Sequence, residues 1–244
     1  MNFCALKAAA LFGLATLVSL SAFAADPTPD GWKNESQAGV VDASGNTNTS
    51  SLSAAEIASY QFSQNLVKFT GAYLSQKNSG VVSGKSWNLG LRYERILNEK
   101  FSIFAGESVE GDRFSGILQR YNSDVGGKYT LVKNDELSWF TEVGYRYTKE
   151  NLILISRKLN YARVYTEIEK KFSPTVSAKY WIEYLPNFTD SIDWQMNTEL
   201  SLSAAISSIF SVKSAYLIRF DNEVNAPGLV KTDKTFTTSL VAKF

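Results

Sequence analysis

From residue 32 to the end, the chain repeats one theme: about ten residues of alternating polarity, then turn residues. In 192–206, Ile192, Trp194, Met196, Leu200, Leu202 and Ala204 share one face, and Asp193, Gln195, Asn197, Glu199, Ser201 and Ser203 share the other. Trp87, Leu89, Leu91 and Tyr93 alternate with Asn88, Gly90, Arg92 and Glu94. The same period runs through 121–131, 137–147, 176–184, 210–221 and 235–244, with Phe140 interrupting one polar face. A period of two is the signature of a strand with unlike faces; a helix would need a period of 3.6. With weaker runs at 32–44, 47–62, 66–76, 101–110 and 159–171, the pattern predicts about twelve strands, with ten and fourteen as alternatives.

The predicted connections fall into two sets. Those near 63–65, 98–100, 134–135, 173–174 and 207–208 are tight. Most of the others (76–85, 111–119, 149–158 and 221–232) are longer, and those near 45–47 and 186–189 are short. This is the rhythm of an up-and-down barrel with short turns at one rim and longer loops at the other. Aromatic residues gather toward the strand ends. Trp87, Tyr121, Tyr147, Tyr184, Trp194 and Phe220 lie toward the long loops, and Phe62, Phe101 and Phe210 toward the turns. Two such girdles mark a bilayer's two interfaces. Past residue 24 no run approaches the ~20 apolar residues of a spanning helix. Hydrocarbon offers no partner to a backbone amide, so strands that cross it must close into a barrel. The fold expected is all-β: a single antiparallel transmembrane barrel over residues 32–244.

The first 24 residues read as a cleavable signal peptide. Lys7 is their one charged side chain, 8–23 is uncharged, and Ala22-Phe23-Ala24 supplies a small-x-small cleavage pattern. Residues 25–31 form a short periplasmic lead. The predicted location is the outer membrane of a diderm bacterium. There outer-membrane lipid is the expected surrounding, and the barrel-assembly machinery the expected partner during biogenesis. The run Thr238-x-Leu240-x-Ala242-x-Phe244 resembles the C-terminal signal which that machinery reads, with Leu240 and Phe244 as its apolar positions.

Composition removes several functions. The 244 residues carry 25 Lys+Arg, 24 Asp+Glu, no His and one Cys, Cys4. A disulfide framework, a Cys/His zinc site and a Ser-His-acid triad are all excluded. So is the basic surface that nucleic acid requires. No cofactor is expected.

The polar faces assign inward charges to Arg92, Glu94, Asp124, Lys128, Glu142, Arg146, Lys179, Glu183, Asp193, Glu199, Lys213 and Arg219, together with Asp221, Asp233 and Lys243. Their signs nearly balance, whereas an anion-selective pore would carry an excess of Lys and Arg. If Asn134 and Glu136 pair across Asp135, Asp124 faces Arg146 and Lys128 faces Glu142. Each such pair is worth ~0.2–1 kcal/mol. Carboxylate pairs such as Asp193 with Glu199, or Glu142 with Glu183, read as solvated wall charges rather than catalytic acids. Glu107, Glu110 and Asp112 are a minor candidate for an oxygen-ligated cation. The apolar run 152–155 is read as an extension of the strands on either side.

Gly31-Trp32 followed by Ser44-Gly45-Asn46-Thr47 resembles the opening of the DUF481 (YdiY-like) family of salt-induced outer-membrane proteins. Asp112-Arg113-Phe114-Ser115-Gly116, Glu142-Val143-Gly144-Tyr145-Arg146, Lys231-Thr232-Asp233 and Thr237-Thr238-Ser239-Leu240-Val241 are similar to its later segments. The resemblance implies an outer-membrane barrel with a link to salt or osmotic stress, and assigns no catalytic or binding residues. Two functions are carried forward. One is a non-enzymatic narrow channel for ions or small solutes. The other is a closed structural barrel whose loops bind envelope partners. Twelve strands lie between eight-stranded barrels, filled by side chains, and sixteen-stranded ones, which leave a channel.

Overall fold

In the computed structural model, which describes residues 30–43, 49–153, 155–224 and 230–243, twelve strands follow one another in chain order. They are β1 Gly31–Ala43, β2 Thr49–Phe62, β3 Asn65–Asn78, β4 Val81–Ile96, β5 Phe101–Asp112 and β6 Ile117–Lys133. Then come β7 Leu137–Leu152, β8 Ser156–Lys171, β9 Val176–Leu185, β10 Gln195–Ala205, β11 Phe210–Asp221 and β12 Thr232–Lys243. Each pairs antiparallel with its sequence neighbour, and β1 closes on β12. The signal-peptide reading and Phe244 lie outside the described residues.

The burial pattern is the reverse of a water-soluble domain. Large apolar side chains such as Leu89, Leu91, Val143, Leu200 and Leu202 are exposed, while Glu142, Glu150, Glu183, Asn122 and Thr148 are buried. The apolar face points outward and the polar face inward, as hydrocarbon outside and a polar interior require. Trp194 contacts Tyr184 and Phe220 at ring distances of 5.7 and 4.8 Å; at the opposite rim Tyr60 contacts Trp32 at 4.9 Å and Phe62 at 5.8 Å.

Several connections differ from expectation. The predicted long loop 76–85 is a two-residue turn, because Ser79 and Gly80 both take positive φ (49° and 80°), the geometry that matches strand twist in a tight hairpin. The β5–β6 connection is likewise shortened to 113–116, where the Asp112 side chain accepts from the amides of Phe114 and Ser115. β7 and β8 extend to Leu152 and Ser156 on either side of the apolar run. The connection near 186–189 runs instead from 186 to 194. The Asn187 side chain accepts from the Thr189 and Asp190 amides, and Asp190 accepts from Ile192, so Ile192 to Trp194 leave the strand.

Strand pairing is uneven around the wall. β6–β7 and β7–β8 each match fifteen residue pairs, whereas β1 and β12 match four, from Glu35–Lys243 to Ala38–Leu240.

Candidate functional site: the charged lumen

Alternation along β4 to β9 turns two or more charged side chains of each strand inward, among them Arg92 and Glu94 on β4, Asp124 and Lys128 on β6, Glu142 and Arg146 on β7, and Lys179 and Glu183 on β9. In register terms Asp124 stands opposite Arg146, and Lys128 opposite Glu142. The first couple is a two-pronged bond, Arg146 Nε and Nη2 donating to the two Asp124 oxygens at 2.7 and 2.8 Å. The second couple is no ion pair. Lys128 bonds Glu94 instead, at 3.1 Å, because two guanidiniums occupy Glu142.

These groups join into one chain of alternating sign. Lys128 contacts Glu94, Glu94 contacts Arg92 (3.1 Å), and Arg92 contacts Glu142 (2.7 Å). Glu142 contacts Arg163 (2.7 Å), Arg163 contacts Glu183 (2.6 Å), and Glu183 contacts Arg146 (3.2 Å), which ends on Asp124. Arg92 reaches from β4 to β7, over the intervening β5 and β6. It can do so because Phe104 on β5 lies beneath its guanidinium, 3.8 Å from the ring centre, and because Gly126 opposite Phe104 has no side chain. A Cβ at Gly126 would fall 2.6 Å from the Val143 carbonyl and 2.7 Å from the Phe104 ring.

A second chain follows the register nearer the outer rim. Glu110, Arg120, Glu150 and Arg157 stand directly opposite one another on β5 to β8. Glu110–Arg120 is 3.1 Å, Arg120–Glu150 is 2.7 Å, Arg157 also donates to Glu150, and Arg157–Asp193 is 2.8 Å. Asp193, expected on a lumen-facing strand, belongs instead to the 186–194 connection, yet its side chain turns inward and is fully buried.

Inward aromatic rings complete this wall. Phe140, Tyr165 and Trp181 follow one another at 5.9 Å centre to centre, with Lys128 over Phe140 at 4.6 Å and Arg163 over Tyr165 at 5.0 Å. Elsewhere Lys179 lies 3.5 Å from Glu167, and Glu199 lies 3.3 Å from Lys213.

Among the described residues, cavities remain in the lumen beside this wall. One, of about 610 Å³, is bounded by Thr70, Asn88, Asn122, Trp181 and Leu217; another, of about 400 Å³, by Ser53, Lys85, Lys213 and Thr237. Arg219 and Asp233 line both. Arg219 has no ion-pair partner among the described residues, unlike the five other lumen arginines.

The proposed cation cluster does not form. Glu110 is taken by Arg120, Asp112 caps its turn, and Glu107 turns to the outer face, where Ser123 donates to it at 2.9 Å. Nor are the carboxylate couples free to act as bases. Glu142 and Glu183 are both clamped by Arg163, while Asp193 and Glu199 hold separate cations. Sequence reasoning missed Arg120, Glu150, Arg157 and Arg163. β8 hid two of these, since Leu159, Tyr161 and Tyr165 share the inward face with Arg157 and Arg163 and blur its polarity.

A family model described as "Protein of unknown function, DUF481" matches residues 36–244. The chain belongs to the DUF481 family. The DUF481 barrel is similar in structure to the NanC porin, with a TM-score of 0.51 at 10% identity, covering 87% of this chain and 98% of that one. The KdgM porin gives 0.47 at 15% identity, with 87% and 99% covered. At such identities the likeness to NanC is one of fold. No curated protein matches the sequence.

Proposed function

We propose that this DUF481 protein is a passive, non-enzymatic channel of the bacterial outer membrane for ions or small polar solutes. One observation carries the reading: beside the charge-laced wall, the lumen keeps two cavities of about 610 and 400 Å³ that share Arg219 and Asp233. A polar interior inside an apolar exterior is the arrangement that lets a barrel stand in lipid and hold water. Paired charges supply polarity without a large field of one sign, so small cations and anions should pass with similar ease. The charges Arg92, Glu94, Asp124, Lys128, Glu142, Arg146 and Glu183 act as walls that narrow the path, and Arg219 as a group exposed to what passes. Leu240 and Phe244 serve assembly, and the link to salt stress rests on the family resemblance.

The test is single-channel recording of the refolded mature barrel in a planar bilayer under a salt gradient. Reproducible steps with a reversal potential near zero are expected. Silence from protein that shows a heat-dependent gel shift would overturn the channel. It would favour the second reading, a closed barrel that presents its loops to envelope partners. The Arg92 bridge from β4 to β7 is the observation that favours that alternative.

A further inference from the structure

Residues 186–188 of the 186–194 connection continue the ladder of β9 against β8 past the end of the strand, and the chain then returns toward β10. The Ala162 amide donates to the Pro186 carbonyl (3.0 Å), the Phe188 amide to the Asn160 carbonyl (2.7 Å), and Asn187 bridges to Tyr161. This return places the Asp193 carboxylate inside the outer mouth, 0% exposed. Among the described residues its one ion contact is Arg157, at 2.8 Å, and neither oxygen has a well-aligned hydrogen bond. Arg157 is already shared with Glu150, which also takes Arg120, and one Arg157 nitrogen is itself without a partner. The groups facing Asp193 are Arg157 and Tyr161 from β8, Glu150 from β7, Asp221 from β11 and Glu223 from the connection after it. Three carboxylates therefore crowd a fourth around cations that are already engaged.

We propose that Asp193 is an acid-operated latch: the 186–194 connection docks against β8 most firmly when this carboxyl is neutral and loosens when it ionises. The outer mouth then narrows in acid and opens toward neutral pH. Burial raises the Asp193 pKa against the attraction of Arg157, and Asp221, Glu150 and Glu223 raise it further, to about 6. In an undocked loop the same group would titrate at about 3.9. The docked form holds its proton more tightly, so docking strengthens as pH falls. Between pH 7 and pH 4 the docking equilibrium shifts by roughly fiftyfold.

The experiment places a nitroxide at exposed Ile192, as Ile192→Cys in a chain carrying Cys4→Ser, and follows its spectrum in detergent from pH 7.5 to 4. The mobile component should shrink as pH falls, with a midpoint between about 4 and 6. In an Asp193→Asn background it should stay immobilised throughout. A spectrum that ignores pH, or a titration that persists in Asp193→Asn, overturns the latch. If Asp193→Asn does not refold, Glu223→Gln serves in its place. Removing a neighbouring carboxylate should lower the midpoint, and an unmoved midpoint overturns the proposal. The nitroxide reports docking whether or not the barrel conducts, so loss of the channel reading and loss of the latch are separate results. Where it conducts, mean conductance should fall over the same range.

Discussion

The wall from β4 to β9 and the seam between β12 and β1 are built from the same alternating strands but are held differently. The wall matches up to fifteen residue pairs per strand couple and ties five of its strands together through one chain of ion pairs. The seam matches four residue pairs and carries one ion pair among the described residues, Lys243–Glu35 at 3.1 Å. A one-residue slip in the wall would turn every charge toward lipid and every apolar side chain inward, so its register is fixed by side chains. Of the outward groups paired across the seam, Ser36, Ala38 and Ala242 are small and only Leu240 is large, so a slip there displaces less apolar surface. Closure thus rests on the fewest paired residues where the two ends of the barrel meet, while the chain of ion pairs lies on the opposite wall.

The largest way to break this contrast is Glu142→Ala. Glu142 is 3% exposed and holds Arg92 and Arg163, so its removal leaves two guanidiniums facing each other across the lumen. Removing one partner from a buried ion network costs about 3–5 kcal/mol. Urea titration of the detergent-refolded barrel, followed by tryptophan fluorescence, should show a loss of that size. A change below about 1 kcal/mol, the range of exposed pairs, would mean that the network adds no more than ordinary surface charges do.

Gly126→Ala comes next. The added methyl meets a backbone carbonyl, Val143, which cannot swing aside, as well as the Phe104 ring that underlies Arg92. Overpacking of this kind costs about 1–3 kcal/mol. The same urea titration measures it, and a variant as stable as the parent would show that strands β6 and β7 can part without disturbing the chain of charges.

These two residues also show what could be read in advance. Glu142 was legible because β7 alternates on either side of Phe140; its register with β6 came out as expected through a different turn, since Asn134 bonds Leu137 rather than pairing with Glu136, and a bulge between Thr130 and Val132 restores the pairing. Its true partners were not legible. Arg163 is a diagonal neighbour on the adjacent β8, whose mixed inward face hid it, whereas Arg92 comes from β4 and reaches Glu142 only through the clearance over Phe104. Period two states which face a side chain takes, not how far a long side chain travels across a lumen. The same limit explains Lys128, which passes its opposite number Glu142 and bonds Glu94. Asp193 defeated the pattern differently: its alternation with Ile192 and Trp194 is that of a strand, but the side-chain caps of Asn187 and Asp190 bend the backbone first. Connections were the least legible part, because a positive φ at Ser79 or a cap at Asp112 is a local choice that hydrophobic period does not record.

The smallest effect should come from the seam. Lys243 is 55% exposed, and its partner Glu35 also accepts from Gln37 at 2.8 Å, so Lys243→Ala removes one solvated pair and leaves the carboxylate with a donor. Such pairs are worth about 0–1 kcal/mol, less at high salt. What holds the seam is the backbone pairing from Glu35 to Ala38, which the substitution does not touch. The urea midpoint of Lys243→Ala should therefore stay close to that of the parent. A loss approaching that of Glu142→Ala would show that the ends of the barrel are locked by charge after all, and that the wall and the seam obey one rule.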